Sequence, residues 1–417
     1  ERNLTTDLGL AFTLDAAAAL RPDLRLVAMS ATADTARFAR LLGGDEPAPI
    51  VASEGRTFPI DIRWLPGTPQ RRGGGRHGRG RPSGRPSFAQ IVDDTSAAVR
   101  RALADETGDV LVFLPGIGEI NATRERLVGA VGGDVDVYPL AGSISVAEQD
   151  RALEPSPPGR RRVVLSTDIA ETSLTVDGVR VVVDSGVGRA PRFDSGTGMT
   201  RLTTVAISRD SADQRAGRAG RVEPGVCYRL WSRIEHGTRL AHREAELLHA
   251  DLADVALEVA AWGTPVAELP LPDQPPRRTW EHAGELLRML DAIDDDGSIT
   301  ALGRRMVDLP LHPRLAHLVA VSPTTAACVV AAVIDERDVM RGRPRELPAD
   351  LELRVAAVGG RRSDDRIDRR AAARVSDRAA DIARRAGVRF DLDEVDPGRT
   401  GLLLVGAFPD RLAGRRR

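Results

Sequence analysis

Residues Arg161–Gly186, "RRVVLSTDIAETSLTVDGVRVVVDSG", give the clearest indication of the fold. It holds two apolar runs that are continuous rather than alternating, which is typical of strands buried on both faces of a parallel sheet. The segment between them, "DIAETSL", predicts a short helix. A strand, a helix and a second strand in this order predict an α/β fold whose parallel sheet is covered by helices on both faces.

The same alternation continues on either side, up to a change of pattern at residues 189–208. There Gly196 and Gly198 separate two alternating segments, which predicts a β-hairpin on the sheet domain. The other elements predicted in this half are strands at Leu24–Met29, from Ile60, at Asp109–Pro115 and at 134–140, and helices at Leu10–Leu20, 118–131 and 146–153.

Beyond Trp231 the pattern becomes helical. Residues 244–263 carry apolar side chains at helical spacing, and residues 281–293 predict a second helix. The Asp-Gly turn in "DDDGSITALG", residues 294–303, leads into a short predicted strand. Two helices and a hairpin are typical of a winged helix, and further helices are predicted from about Leu311 onward.

The composition excludes one kind of nucleotide site. All 59 of the basic residues are arginine, because the chain contains no lysine. A phosphate-binding loop of the G-x-x-x-x-G-K-[ST] kind needs its lysine, so this sequence does not contain one. The formal net charge of −1 says nothing about a nucleic-acid partner.

Two cysteines in different regions do not form a disulfide framework, and no apolar run reaches the roughly 18 residues of a membrane span. A reducing cytoplasm and no membrane contact are therefore expected.

Residues 71–86, "RRGGGRHGRGRPSGRP", have no apolar content and cannot form part of a core. Two interpretations are open for this Arg/Gly-rich insertion. It is a solvated insertion in a loop, or it is a basic tether that helps to hold nucleic acid.

Small and polar residues follow several predicted strands, at the carboxyl ends where parallel α/β sheets bind ligands. Ser30 and Thr32 follow the first predicted strand, and Gly116 follows the strand at 109–115. Thr167 follows the first apolar run of residues 161–186.

Asp168 and Glu171 then form a D-x-x-E pattern, which resembles a capping box with aspartate in the place of serine or threonine. Ordinary capping and a phosphate site at the helix N-terminus are both open there.

The segment "SADQRAGRAGR", Ser211–Arg221, places three arginines three residues apart, with Gly217 and Gly220 between them. On a helix the three would share roughly one side. The glycines would each cost that helix about 1 kcal/mol relative to alanine, so they make sense where the segment packs closely against something. Arginine is suited to bidentate contact with phosphate, which indicates an anion-facing cleft.

Four motifs in order carry a family resemblance: "RLVAMSAT", "VLVFLPGIGEI", "VVLSTDIAETSLTVDGVRVVVDSG" and "QRAGRAGR". They resemble motifs III, IV, V and VI of the DEAH-box group of superfamily 2 nucleic-acid helicases. "EPGVCYRLWS" is similar to that family's entry into its winged helix, and "PLHPRLAHLV" is similar to the start of its ratchet-like helical domain.

The resemblance implies two RecA-like lobes that sandwich ATP with Mg²⁺ and clamp single-stranded nucleic acid. It assigns Arg218 and Arg221 as arginine fingers on the γ-phosphate and Gln214 as the residue that positions the attacking water or the γ-phosphate. Arg215 would brace the motif internally. Thr175 and Asp177 match positions that bind the nucleotide sugar.

The residues that match the family's nucleic-acid path are Gly116, Ser143, Thr167 and Asp168. Most relatives have asparagine where this chain has Asp168, which loses a donor and repels phosphate. Ser30 and Thr32 match the motif that links the ATP state to lobe closure. Aromatic residues make up 3% of the chain, too few for a base-stacking platform, so sequence-independent backbone contacts are expected.

The resemblance also implies a domain organisation. The predicted parts are a remnant of the first RecA-like lobe at 1–54, the second lobe with its hairpin at 55–233, a winged-helix domain at 234–310, a ratchet-like helical domain at 311–386 and the start of a truncated C-terminal region at 387–417. The phosphate-binding loop, the Asp-Glu-x-His box and the Mg²⁺ ligands are expected in residues that precede Glu1.

The function expected from these patterns is that of part of an ATP-dependent RNA or DNA helicase, monomeric, that moves 3′–5′ on single-stranded nucleic acid. The isolated chain is not expected to hydrolyse ATP. The alternatives are a non-enzymatic nucleic-acid-binding module, including a pseudogene fragment, and, more weakly, a transcription regulator that reads a major groove with its winged helix.

Overall fold

A computed structural model of the chain describes residues 2–29, 34–53, 58–66, 86–172, 174–342, 345–361 and 364–412. The strands found in these residues are β1 Ile60–Trp64, β2 Asp109–Phe113, β3 Val135–Leu140, β4 Arg161–Ser166, β5 Val179–Asp184, β6 Val187–Asp194, β7 Met199–Ala206 and β8 Gly225–Arg229.

The α-helices found in the same residues are α1 Leu4–Leu20, α2 Thr35–Gly43, α3 Phe88–Asp105, α4 Ile117–Leu127, α5 Val146–Leu153, α6 Ile169–Thr172, α7 Arg209–Gly217, α8 Arg233–Thr238, α9 Ala253–Trp262, α10 Arg277–Met289, α11 Ala301–Val307, α12 Pro313–Val321, α13 Thr325–Asp335, α14 Leu351–Val358, α15 Arg369–Arg385 and α16 Thr400–Ala407.

The chain divides into two compact units. The first comprises Glu1–Asn3, Leu24–Asp194 and Thr200–His249, and the second comprises Leu4–Asp23, Ser195–Met199 and Ala250–Arg417. The finer domain boundaries stay a prediction.

The first unit is built on a six-stranded parallel sheet in the order β1-β8-β5-β2-β4-β3. This confirms the α/β fold predicted from the alternating pattern. The strands β2, β4 and β5, which the sequence marks by continuous apolar runs, lie next to one another in the sheet and are almost wholly buried.

The two faces of the sheet are filled by alternate residues of the same strands. Val110 and Val112 of β2 pack in one cluster together with side chains of α3 and α4. Leu111 and Phe113 pack in a second cluster with side chains of α5, α6 and α7. Because both faces are covered, the strands have no polar face, which explains why their sequence does not alternate.

The predicted hairpin at 189–208 is confirmed as the pair β6 and β7. β6 begins three residues after the carboxyl end of β5, with Gly186 at a φ of 75° in the turn between them. The hairpin therefore starts at the carboxyl edge of the sheet.

The strand predicted at Leu24–Met29 is wrong. These residues form neither helix nor strand, and Val27 and Met29 are 82% and 90% exposed. A strand needs a neighbour for its backbone N–H and C=O groups. No strand in the described residues pairs with this segment, so its apolar character alone does not make it a strand.

In the second unit, α1 contacts the C-terminal end of α9 through an aromatic side chain. The ring of Phe12 stacks on Trp262 with centroids 4.5 Å apart, and Asp15 accepts hydrogen bonds from Trp262 Nε1 at 2.7 Å and Thr264 Oγ1 at 3.0 Å. The helix predicted at Leu10–Leu20 is therefore present and begins earlier, at Leu4.

Two predictions for the helical half need correction. The helix predicted over 244–263 is interrupted, because Asp251 accepts a hydrogen bond from the Ala253 N–H and α9 begins there. The predicted wing strand is a single bridge between Ile293 and Ile299, after which Thr300 caps α11. In the part of the chain that the structure describes, no helix combines the length and apolarity that a bilayer crossing would need.

Candidate nucleotide and nucleic-acid sites

Four predicted site residues lie at the carboxyl edge of the sheet. Gly116 follows β2, Ser143 follows β3, and Thr167 and Asp168 follow β4. Ser166, the last residue of β4, is in register with the last residues of β2 and β3, so the three strands end level with one another. The structure therefore brings these four residues to one edge, with Ser143 and Asp168 exposed and Gly116 and Thr167 half-buried.

Glu171 is not a capping residue of α6. Its backbone N–H donates to the Asp168 carbonyl at 2.9 Å, but its carboxylate turns into the protein. There it accepts hydrogen bonds from Ser211 Oγ at 2.6 Å and from Arg215 Nε at 2.8 Å. The D-x-x-E spacing thus has a partner 40 residues away that the local pattern does not reveal.

Arg215 lies at the centre of this buried network. Besides Glu171, it donates through Nη1 to Asp184 Oδ1 at 3.0 Å, and its guanidinium lies 4.8 Å from the centre of the Phe113 ring. Burial alone would lower the pKa of Arg215, but the carboxylates of Asp184 and Glu171 outweigh it and raise that pKa. The cation is permanent, and it ties α6, α7 and β5 together.

The three arginines do not share one helix. α7 ends at Gly217, Arg218 is its C-terminal cap and Arg221 lies in the following turn. Gly220, in the same turn, has no room for a side chain, since a Cβ there would lie 2.7 Å from the Phe58 carbonyl oxygen. Close packing was predicted for both glycines, and the structure supports it at Gly220 but not at Gly217, where a Cβ would meet nothing within 4 Å.

Arg218 and Arg221 both reach the loop that follows α6. Arg218 is buried and donates to the carbonyl oxygens of Glu171 and Leu174, the latter at 3.1 Å. Arg221 is exposed and donates through Nη1 to Thr175 Oγ1 at 2.8 Å. Burial first, and the positive charge of Arg221 second, lower the pKa of Arg218. The two cations are therefore close enough to repel each other.

Thr175 and Asp177 share this loop, and both are exposed. The loop leads into β5, and the turn that holds Arg221 leads into β8, the neighbouring strand. The residues predicted to bind nucleotide therefore lie near the amino ends of the strands, apart from the carboxyl-edge residues predicted to bind nucleic acid. Gln214 is half-buried on α7.

Two predicted residues and one predicted segment cannot be placed. Ser30, Thr32 and residues 71–85 of the Arg/Gly-rich insertion lie outside the described residues.

The sequence does not reveal one buried residue that anchors the loop holding Thr175 and Asp177. Arg162, at the start of β4, is 1% exposed and pairs with Asp109 Oδ2 through Nε at 2.7 Å. Arg162 also donates to the Asp177 carbonyl oxygen. The Arg162–Asp109 ion pair therefore connects this loop to the start of β4. The only local sign was a charged residue, Arg162, within a strand that is otherwise almost wholly buried and apolar.

Within the described ranges, no group of three or more histidine, cysteine, aspartate or glutamate side chains is arranged to hold a metal ion. Arg218 and Arg221 do form a pair of neighbouring cations beside the exposed side chains of Thr175 and Asp177. Cations, a hydroxyl and a carboxylate are groups of the kind that bind phosphates and sugar hydroxyls, but they do not supply a cluster of Mg²⁺ ligands.

Comparison with known proteins gives the family. Residues 94–223 match the helicase conserved C-terminal domain, and residues 285–311 match the winged-helix helicase associated domain HA2. Over its whole length the chain is 37% identical to the ATP-dependent RNA helicase HrpB of Escherichia coli strain K12. The chain belongs to the DEAH-box helicase family.

Other DEAH-box relatives are similar over most of the chain. The ATP-dependent RNA helicase HrpA of Escherichia coli strain K12 is 35% identical over 84% of this chain and 26% of its own length. The pre-mRNA-splicing factor prp22 of Schizosaccharomyces pombe, an ATP-dependent RNA helicase, is 31% identical over 87% of this chain and 30% of its own length.

Solved DEAH-box structures show the same fold. A crystal structure of the E. coli DExH-box NTPase HrpB is 36% identical with a TM-score of 0.79, and a second, of the Escherichia coli DEAH/RHA helicase HrpB, is 37% identical with a TM-score of 0.81. Each covers the whole of this chain. The chain spans about half of HrpB, 47% of the curated sequence and 47% and 48% of the two solved chains.

Proposed function

We propose that this chain supplies the second RecA-like lobe, the winged helix and the ratchet-like region of an ATP-dependent RNA helicase of the DEAH type. In that helicase, ATP with Mg²⁺ drives 3′–5′ movement on single-stranded RNA or DNA, independently of base sequence. The protein acts as a monomer in the cytoplasm.

The observation that carries the proposal is the pair Arg218 and Arg221. Two adjacent cations repel each other unless an anion lies between them. After burial, the charge of Arg221 is the next largest cause that lowers the pKa of Arg218. Because the partners of Arg218 are carbonyl oxygens and Arg221 is held by a hydroxyl, neither cation is neutralised by a hydrogen-bonded carboxylate among the described residues. A triphosphate is an anion that fits this pair.

The chemistry of these residues follows from charge and geometry. Guanidinium groups placed at a transferring phosphoryl group stabilise the charge that spreads over its oxygens in the transition state. Arg221 is exposed and reaches that group directly, while Arg218 is held at its base. Gln214 positions the attacking water or the γ-phosphate, and Thr175 and Asp177 bind the sugar hydroxyls. Arg215 holds α7 so that both cations keep their places.

Nucleic acid is assigned to the carboxyl edge of the sheet. Gly116, Ser143 and Thr167 offer backbone and hydroxyl groups there, which bind phosphates and sugars without reading bases. Asp168 contributes a carboxylate, which accepts hydrogen bonds from sugar hydroxyls but repels phosphate. Ser30 and Thr32 are assigned to coupling between the ATP state and lobe closure.

ATP turnover also needs groups that this chain does not contain. The sequence has no lysine, hence no phosphate-binding loop of the Walker type, and its described residues offer no carboxylate cluster for Mg²⁺. We propose that the chain alone binds single-stranded nucleic acid but does not hydrolyse ATP.

The test places a first lobe with a phosphate-binding loop, taken from E. coli HrpB, ahead of the chain. In this full-length version, Arg221→Ala and Arg218→Ala should each lower RNA-stimulated ATP turnover by about 10³-fold or more, the usual worth of an arginine finger. Binding of single-stranded RNA should stay within about twofold. Arg233→Ala, at an exposed position on α8, is the matched control and should keep normal turnover.

Unchanged turnover in both Arg218→Ala and Arg221→Ala would contradict the assignment. If the full-length version binds RNA but never hydrolyses ATP, the chain is a binding module and not part of an enzyme.

A further inference from the structure

Arg189, on β6 of the hairpin, is held by a buried carboxylate. Its Nη2 donates to Glu119 Oε1 at 2.9 Å. The two side chains differ in exposure: Glu119 is 2% exposed, whereas Arg189 is 38% exposed. A buried acid thus fixes the direction of a cation whose other end faces solvent.

The guanidinium of Arg189 makes one hydrogen bond, through Nη2, among the described residues. In the part of the chain that the structure describes, Nε and Nη1 of Arg189 have no hydrogen-bond partner. An arginine that only had to neutralise Glu119 would be expected to use its bidentate fork, with two parallel N–H···O bonds. Here a single hydrogen bond is made, and the other edge of the fork stays open.

The position of Arg189 matches the carboxyl edge of the sheet. A Cβ at Gly116 would lie 3.6 Å from Arg189 Nε and 3.2 Å from Glu119 Oε2. The arginine therefore lies directly over Gly116, the first residue after β2 that was assigned to nucleic acid. The absence of a side chain at Gly116 leaves the space that this guanidinium occupies.

The charge of Glu119 does not remove the attraction for a phosphate. Glu119 lies in the first turn of α4, where the partial positive charge of the helix N-terminus stabilises a carboxylate. Gly116, the N-terminal cap of α4, has no side chain, so the first N–H groups of the helix receive no side-chain hydrogen bond from the cap. The charge of Glu119 is thus offset by its ion pair with Arg189 and by the helix N-terminus.

We infer that Arg189 binds a backbone phosphate of the nucleic acid at the carboxyl edge and that Glu119 is its positioning residue. This inference rests on the proposed function, because it assumes that single-stranded nucleic acid lies along this edge. It adds the hairpin strand β6 to the binding surface, so that the base of the hairpin and the sheet hold the same strand.

The experiment uses the full chain and a fluorescein-labelled single-stranded RNA of 20 uridines, with anisotropy titrations at several salt concentrations. Arg189→Gln should raise Kd about tenfold, and the slope of log K against log salt should fall in magnitude by about 0.7, the value for one phosphate contact on a single strand. Arg192→Gln is the matched control. Arg192 lies on the same strand with 33% exposure and pairs with Glu244 at 3.0 Å, so its loss should change Kd less than twofold.

Two further variants separate binding from structure. Arg189→Lys keeps the charge and should restore the salt slope while leaving Kd about threefold raised, because lysine lacks the planar fork. Glu119→Ala should weaken binding about threefold, and the double variant Glu119→Ala/Arg189→Gln should bind like Arg189→Gln alone, because Glu119 acts only through Arg189. Circular dichroism and thermal unfolding confirm that each variant is folded.

An Arg189→Gln chain that binds RNA with the Kd and salt slope of Arg192→Gln would overturn the inference and leave the proposed function intact. Tighter binding by Glu119→Ala would overturn the positioning role. If the unaltered chain binds no RNA at low salt, the proposed binding function itself fails.

Discussion

At the scale of single residues, the buried charges of the sheet domain form a network with little redundancy. Arg215 is 1% exposed and is the shared partner of Glu171 and Asp184, which are 5% and 0% exposed. Removing one member of such a group leaves the opposite charges in a medium of low dielectric constant. The cost is therefore set by the partners that remain and not by the strength of one contact.

Replacing Arg215 with methionine should destabilise the first unit by about 3–5 kcal/mol. Asp184 would stay buried without this cation, and Glu171 would keep only its longer ion pair with Arg243, at 3.7 Å. Urea unfolding followed by tryptophan fluorescence measures the change. Arg221→Met is the matched control, because Arg221 is exposed and bonds only Thr175 among the described residues, and it should alter the free energy of unfolding by less than about 0.5 kcal/mol. Equal stability of both variants would show that the network contributes nothing.

The residue roles that the sequence could predict are those with a local or motif signal. The bracing role of Arg215 is confirmed by its two carboxylate partners. For Glu171 the D-x-x-E pattern leaves capping and a phosphate site open, and it misses the pairing with Arg215, which spans 44 residues, because no local pattern reports a contact of that separation. The pairs that hold Arg162 and Arg189 were missed for the same reason, since their partners lie 53 and 70 residues away. The catalytic and binding assignments stay predictions.

At the scale of elements, the strands were the most predictable part of the fold. β2, β4 and β5 are buried on both faces, so their apolar runs carry the signal directly. Leu24–Met29 has a similar run but no neighbouring strand among the described residues, which shows that a strand is defined by its partner as well as by its own residues. The spacing of the arginines does not reveal that α7 ends before Arg218, nor that the following turn packs Gly220 against Phe58.

The two glycines of the arginine segment should respond oppositely to a methyl group. Gly220→Ala places a Cβ 2.7 Å from the Phe58 carbonyl oxygen and 2.8 Å from Ile60 Cγ1, so the backbone must move and about 1–3 kcal/mol of stability should be lost. Gly217→Ala, at the last residue of α7, meets nothing within 4 Å and should stabilise the protein by up to about 1 kcal/mol. Thermal unfolding of the two variants measures both changes, and the same sign for both would contradict the packing argument.

His236, on α8, is expected to make the free energy of unfolding depend on pH. It lies 5.1 Å from the ring of Trp64 and 6.2 Å from that of Trp231, with Arg229 and Arg239 nearby. Burial first, and the charge of Arg229 second, lower the pKa of His236 below its usual 6.5. The folded protein therefore binds fewer protons than the unfolded chain as the pH falls through and below that value.

By proton linkage, the free energy of unfolding should fall as the pH drops below about 6.5, with a slope of at most about 1.4 kcal/mol per pH unit from this group. His236→Gln should reduce the slope between pH 7.5 and pH 5.5, measured by urea unfolding with the fluorescence of Trp64 and Trp231. His242→Gln, at an exposed position, is the control. An unchanged slope in His236→Gln would show that another group carries the dependence.

For the chain as a whole, the positions of individual charges are expected to matter more for binding than the net charge. The formal net charge is −1, and the arginines proposed to bind ligands are Arg218 and Arg221, which contact the loop after α6, and Arg189 at the carboxyl edge of the sheet. Because a net charge near zero gives little overall attraction for nucleic acid, the proposed affinity depends on individual arginines and backbone amides. Binding should therefore be sensitive to single substitutions and to salt.

The Arg/Gly-rich insertion carries a large share of positive charge in a short segment, so it is expected to affect the net charge and the salt dependence of RNA binding. Deleting residues 71–85 removes six arginines and no acidic residue, so the formal net charge falls from −1 to −7. Because the segment has no apolar side chain to bury, the midpoint of thermal unfolding should not change, and a large loss would show that it is a structural element. RNA titrations then separate the two interpretations: an unchanged salt slope indicates a solvated loop, whereas a basic tether predicts a smaller slope. A chain with the same segment length but serine in place of its six arginines should bind RNA like the deletion, since a tether acts through charge and not through length.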